Sequence, residues 1–306
     1  MRSNTKHFES HIFYYYLMRK NLYYQLVFIL CLSGLTIQAQ AQQAYTIFNK
    51  SGKEVSLKKL MAETQGKSHI FFGELHNNAI AHWLQLEITK TLNERHGENL
   101  VIGAEMFESD NQLLIDEYFS DQIKQKSFEE EARIWKNYKT DYKPILEFAK
   151  KNKLKFIATN IPRRYANSVF YNGLDILQQL SPEAKSYMAP LPIVIDTNLV
   201  SYKEIRKMAG NHNGEFMMEA QAIKDATMAH FILLNSSENT VFLHLNGSYH
   251  SNNYEGIIPF LVSKIQAEKI LTLATVTQEQ VDHLEKENYQ LADFIICVDS
   301  DMTLTH

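Results

Sequence analysis

The chain has 306 residues, 45% of them apolar, and carries 31 basic against 35 acidic side chains for a net charge of −4. Without residues 1–41, which hold four of the basic groups and one of the acidic, the balance is 27 against 34, or −7. Such a chain shows no footprint for nucleic acid or an anionic membrane surface, and its two cysteines supply neither a c-type haem attachment motif nor a zinc ribbon.

The first forty or so residues read as a secretory signal. Leu22 to Ile37 is a charge-free apolar run of 16 residues preceded by Arg19 and Lys20; it is short for a membrane span, and Ala39-Gln40-Ala41 offers a cleavage site before Gln42. Met18 stands directly before the basic pair, which suggests that the 17 residues upstream come from a misplaced start codon. Leu30, rather than a small residue, precedes Cys31, so an acylated, membrane-anchored cysteine is not expected. The expected mature chain, 42–306, suits one large α/β domain. It keeps Cys297 alone, which excludes an internal disulfide, and within "FIICV" that residue reads as a small buried hydrophobe.

Past the signal, short apolar runs alternate with longer helical patterns. That is the signature of an α/β fold with a mostly parallel open sheet flanked by helices. Strands are predicted over 69–75, 100–107, 154–161, 240–246, 269–276 and 294–298. "AIAHWLQLEITKTLNERHG" is predicted to be a helix, with Ile80, Trp83, Leu84, Ile88 and Leu92 at helical spacing and Gly97 as its C-terminal stop. The right-handed crossover rule then lays the first two strands side by side or nearly so. Between the third and fourth strands lie about 78 residues, far more than one crossover needs. They are predicted to form a helical insertion ending in a helix over 216–235.

Ligands of open α/β sheets bind beyond the carboxyl ends of the strands. Here the first strand ends in Glu74 and His76, the second in Glu105, the third in Asn160, and the fourth in Asn246 followed by Gly247-Ser248-Tyr249-His250. Glu74 and His76 are two apart and share a face if the strand persists. Glu105, inside "VIGAEMF", needs a cation or hydrogen-bond partner. Two imidazoles and two carboxylates suit a divalent metal, acid-base chemistry or a cofactor pocket, and composition does not choose among these. The spacing G-x-x-H at Gly73 and Gly247 carries little weight alone, since eleven glycines and twelve histidines in 306 residues give about 0.4 matches by chance. Gln221 and Asp225, four apart on an otherwise apolar helix face, want a buried partner; a structural hydrogen bond and a pocket role are both open. Trp135 and Tyr142 have no assigned role at this level.

The ordered motifs "FFGELHNN", "HWLQLE", "GAEMFESDNQ", "YKPILEFA", "TNIPRR", "MMEAQAIKDATMAHFI", "LNGSYH" and "GIIPFL" resemble the ChaN-type haem-binding protein family, within the wider Tiki and erythromycin-esterase-like group. Asn77 departs from the aspartate more usual there. The resemblance implies export to the periplasm or cell envelope, noncovalent haem binding linked to iron uptake, an outer-membrane haem receptor as partner, and a homodimer. Residue by residue it falls on His76, Glu105 and His250, with Glu74 beside them, and Tyr249, Gln221 and Asp225 are expected to complete the haem pocket. In Tiki-like relatives the matching residues serve metal-dependent peptidase chemistry. The alternative expectation is therefore a hydrolase in which His76 and His250 hold manganese or zinc and Glu74 or Glu105 activates water.

Overall fold

The computed structural model describes residues 14–25, 43–208 and 214–306. Residues 14–25 form helix α1, within a unit spanning Met1–Gln42, and Gln43–His306 form a second compact unit. Most of the apolar run read as a signal, the expected cleavage site and Cys31 lie outside the described residues. Among the described residues no helix is long and apolar enough to cross a membrane.

The second unit opens with β1 (Tyr45–Asn49), α2 (Leu57–Glu63), β2 (His69–Glu74), α3 (Ala79–His96) and β3 (Leu100–Glu108). Then come α4 (Gln112–Phe119), α5 (Gln125–Glu131), a π-helical turn (Tyr138–Tyr142), α6 (Lys143–Lys151) and β4 (Lys155–Asn160). The expected insertion follows as α7 (Arg163–Asn172), α8 (Pro182–Lys185), α9 (Val200–Met208) and α10 (Gly214–Leu234). It leads into β5 (Val241–Gly247), α11 (Ile258–Leu261), β6 (Ile270–Gln278) and β7 (Phe294–Asp299).

The sheet order is β1-β7-β6-β2-β5-β3-β4, parallel throughout except for β1, which runs antiparallel to β7. Every residue of β2, β3 and β5 is buried. That is why these strands read as unbroken apolar runs, as strands covered on both faces must. Ile70 and Phe72 of β2 point into the larger core with Leu84, Ile88 and Leu92 of α3, whereas Phe71 packs on the other face with Met228 and Ile232 of α10 and Leu261 of α11. Asn78 caps α3 by accepting from Ala81 N at 2.9 Å, and Gly97 ends it at φ 52°.

The first two predicted strands are not direct neighbours, because β5 runs between them. This insertion positions the site. The connection leaving β2 lies on one face (α3) and that leaving β5 reaches α11 on the other, the topological arrangement beside which open α/β sheets bind their ligands. Cys297 is fully buried in a small cluster with Phe48 and Ile295, as expected.

Candidate functional site

Strand β2 stops at Glu74, and the chain turns through Leu75–Asn78 into α3. His76 therefore stands just beyond the strand, and its Nδ1 meets Glu74 Oε1 at 2.9 Å. Glu74 is 1% exposed and is held from two more sides: Tyr142 donates its hydroxyl to Oε1 at 2.7 Å, and Gln85 donates from Nε2 to Oε2 at 2.5 Å. A buried carboxylate with three such partners is a rigid orienter for an imidazole. The His76 side chain is 41% exposed, and its Nε2 has no hydrogen-bond partner among the described residues. Trp135 stands edge-on to the ring at 4.9 Å and Tyr142 edge-on to Trp135 at 5.8 Å. Tyr142 lies in the π-helical turn, a geometry often found at functional positions.

A second cluster lies at the end of β5. His250 is buried between two carboxylates, with Nδ1 2.5 Å from Asp225 Oδ1 and Nε2 3.1 Å from Glu105 Oε1. Glu105 Oε2 accepts the Gly247 amide at 2.6 Å, and Asp225 Oδ2 accepts the Tyr202 hydroxyl at 2.8 Å. The Gln221 amide lies against the same ring, 3.1 Å from Nδ1. The helical pair Gln221 and Asp225 thus finds its buried partner in His250. Glu105 is delivered by an irregularity in the β3–β4 pairing between Ala104 and Glu108, the kind of bulge that re-aims a side chain. Asn160, at the end of β4, donates to the Glu105 carbonyl at 3.0 Å.

The electrostatics follow from this geometry. Burial alone would lower the His250 pKa, but Glu105 and Asp225 outweigh it and push it up to about 10, so the ring is an imidazolium at neutral pH. Burial opposes the charge on Glu105, yet His250, His76 and the Gly247 amide hold it below the usual carboxylate range. Asp225 goes the other way: burial raises it, and His250 and Tyr202 only partly offset that. Burial also lowers His76, and its Glu74 hydrogen bond with the charges of Glu105 and Glu74 turns the balance upward. The two clusters touch at Gly247, where an added Cβ would lie 2.6 Å from His76 Cε1 and 3.4 Å from Glu105 Oε2. Beneath them His244 bridges Thr159 at 2.9 Å and Asn246 at 3.0 Å, and burial takes it down to about 4, so it is neutral.

The strand-end residues expected from the sequence are thus brought together, but they divide into unlike groups. His76 offers a free ring nitrogen. His250 offers none, because both of its nitrogens are engaged by carboxylates. The expected pair of metal-holding histidines is not formed as such, and among the described residues no group of three or more His, Cys, Asp or Glu side chains is placed to hold a metal ion. Tyr249, in the turn Ser248–His250, is 59% exposed and leaves its phenol accessible. Sequence reasoning missed Gln85 and His82. A histidine and a glutamine three apart on the buried face of α3 were the available signal. His82 reaches across to the His76 carbonyl at 3.1 Å.

The family described as "Haem-binding uptake, Tiki superfamily, ChaN" matches residues 60–261. No curated protein sequence matches the chain. Among solved structures, one titled as cofacial heme binding to ChaN of Campylobacter jejuni is 19% identical with a TM-score of 0.61, covering 85% of this chain and 98% of its own. A Bacillus cereus protein is 11% identical with a TM-score of 0.51, covering 84% and 95%. An erythromycin esterase variant in its open conformation is 10% identical with a TM-score of 0.49, covering 84% and 98%. At these identities the Campylobacter and Bacillus structures, with TM-scores above 0.5, speak to the fold alone. The family match spans about two thirds of the chain and includes Glu74, His76, Glu105, Asp225 and His250; the chain belongs to the haem-binding uptake family of the Tiki superfamily, ChaN.

Proposed function

We propose that this protein binds haem noncovalently at the carboxyl ends of β2 and β5, as cargo linked to iron uptake. The observation that carries the reading is the state of His76: a partly exposed imidazole, oriented through Nδ1 by a buried, triply held glutamate, with Nε2 unpartnered. An iron ligand is held in this way when its other ring nitrogen is fixed by a carboxylate. The exposed Tyr249 phenol is a second candidate ligand, and the Trp135 ring beside His76 supplies an apolar wall. His250, Glu105, Asp225 and Gln221 then support the floor as a closed charge network and do not ligate the iron. A divalent ion shared by His76 and His250 would require His250 to give up one of its two carboxylate partners.

In the same reading the chain is exported, its mature form starts near Gln42 without a lipid anchor, and it takes haem from or passes it to an outer-membrane receptor. The Campylobacter ChaN structure is titled for cofacial haem, and two haems brought face to face here would suit a homodimer. Intact mass of the exported protein checks the start, and a diacylglycerol adduct on Cys31 would overturn the soluble form. The test of haem binding is a haemin titration followed by Soret absorbance for wild type, His76→Ala and Tyr249→Phe. The expected result is a saturable spectral change in wild type and a weakened or shifted one in at least one variant. Absence of saturation in wild type, or three identical titrations, defeats the proposal.

A further inference from the structure

His76 is tied down twice, and the second tie uses groups that do not touch its ring. Its backbone carbonyl accepts from Asn137 Nδ2 at 2.7 Å and faces His82 Nε2 at 3.1 Å. Both side chains lean on one buried carboxylate, Asp141. Asn137 Nδ2 is 2.7 Å from Asp141 Oδ2, and His82 Nε2 is 3.4 Å from the same oxygen. A third donor reaches that oxygen from more than 160 residues along the chain: Thr305 Oγ1 donates to it at 2.6 Å. The backbone joins in, with Thr305 N donating to Asn77 O at 3.0 Å and Leu304 forming an isolated antiparallel bridge with Asn78.

Residues 304–305 therefore lie as a strap along Asn77–Asn78, the two residues that separate His76 from α3. Leu304 is 57% exposed, so the strap buries little apolar surface and contributes little to the core. Its polar contacts, by contrast, end on the His76 loop and on the carboxylate that anchors that loop. A hydrogen bond to a charged acceptor fixes geometry more strongly than a neutral one.

We infer that Thr305 and Asp141 are positioning residues for His76. Through Asn137 and His82 they set where the His76 backbone sits, and so how its ring lies against Gly247 and which way Nε2 faces. The inference rests on the reading of His76 as a haem-site residue, but its first consequence is a property of the haem-free protein.

The test compares wild type, Thr305→Val, which deletes the hydroxyl at constant shape, and Thr305→Ser, which keeps it, each as the full chain. The His76 ring nitrogen and carbon-bound proton resonances are assigned by their loss in His76→Gln and read by NMR at one fixed pH without haem. Haemin affinity is measured in parallel. Thr305→Val removes one of three donors around a buried carboxylate and should lower the melting temperature by only a few degrees, leaving the fold intact. It should also shift the His76 resonances and weaken haemin binding by about tenfold, the lower range for groups that orient a metal ligand; Thr305→Ser should restore both. A Thr305→Val protein with wild-type His76 resonances overturns the inference. So does one whose changes Thr305→Ser fails to restore. Should wild type bind no haemin, the haem reading falls by itself and the His76 resonances decide the strap alone.

Discussion

Asp225→Ala is the most informative single perturbation of the buried charge network. Asp225 is fully buried and accepts from His250 Nδ1 at 2.5 Å and from Tyr202 at 2.8 Å. Alanine leaves the His250 imidazolium with Glu105 alone, orphans the Tyr202 hydroxyl and opens a small cavity under α10. Removing one partner of a buried ion pair costs about 3–5 kcal/mol, and an unpaired buried hydroxyl about 1–3 kcal/mol. The two are not additive because both arise from one carboxylate. Burial also raises the Asp225 pKa, so deleting the group refunds some desolvation, and a net loss of about 3 kcal/mol is expected. For a domain of this size, at roughly 2–4 °C per kcal/mol, the melting temperature should fall by roughly 10 °C. Glu130→Ala is the control: its contact with Lys126 is 3.7 Å long between mostly exposed side chains, and its loss should move the midpoint by less than about 2 °C. Thermal unfolding followed by circular dichroism, with His250→Gln and the double variant to close a cycle, measures both the loss and the coupling. An Asp225→Ala protein melting within about 2 °C of wild type would refute the claim that this network is held together by charge.

Because the folded-state pKa of His250 is raised to about 10 from 6.5, its contribution to stability is fully present below pH 6.5 and is lost as pH rises toward 10. Urea unfolding at pH 7, 8.5 and 10 should show wild-type stability falling across this window, with a flatter profile in His250→Gln; parallel profiles would contradict the assignment. Glu105 has the opposite sign, its pKa being lowered, so its contribution is lost on acidification below its unfolded value near pH 4.5, and Glu105→Gln should blunt the acid limb of the same experiment. Gly247→Ala sets a Cβ 2.6 Å from His76 Cε1. Since the His76 ring is partly exposed and can swing away, haemin affinity should drop by about tenfold with only a small change in melting temperature, and unchanged affinity would mean that ring position is not limiting. Cys297 is fully buried, and burial pushes its thiol up to about 11. It should resist a thiol reagent at pH 8 until urea unfolds the protein, and prompt labelling of the native form would show that the site opens.

The local sequence determined the class of fold and most of its elements, because whether a residue is buried depends first on its own chemistry and on its neighbours' periodicity. β2, β3 and β5 are covered on both faces, so they appear as continuous apolar runs, and their predicted limits differ from the observed ones by no more than one residue at any end. The helix over 79–96 was legible from its apolar spacing and from Gly97. Polar residues interrupting such runs marked Glu74, His76, Glu105 and His250 as strand ends. Strand order was not legible, since pairing is settled by which edges meet across long loops and leaves no period in the chain. It is that order, with β5 between β2 and β3, that sets Gly247 against His76 and Glu105. β1 was missed for a related reason: five residues at an antiparallel edge are too few to show a pattern, and their pairing with β7 spans nearly the whole unit. Only the tertiary structure decided that the two histidines differ, one closed between Glu105 and Asp225 and the other open at Nε2. The difference lies in Asp225, Tyr142 and Gln85, which come from separate helices and turns. Convergence of groups so distant in sequence is a property of packing, and it leaves similar imidazoles closed between two carboxylates in one place and open at Nε2 in the other.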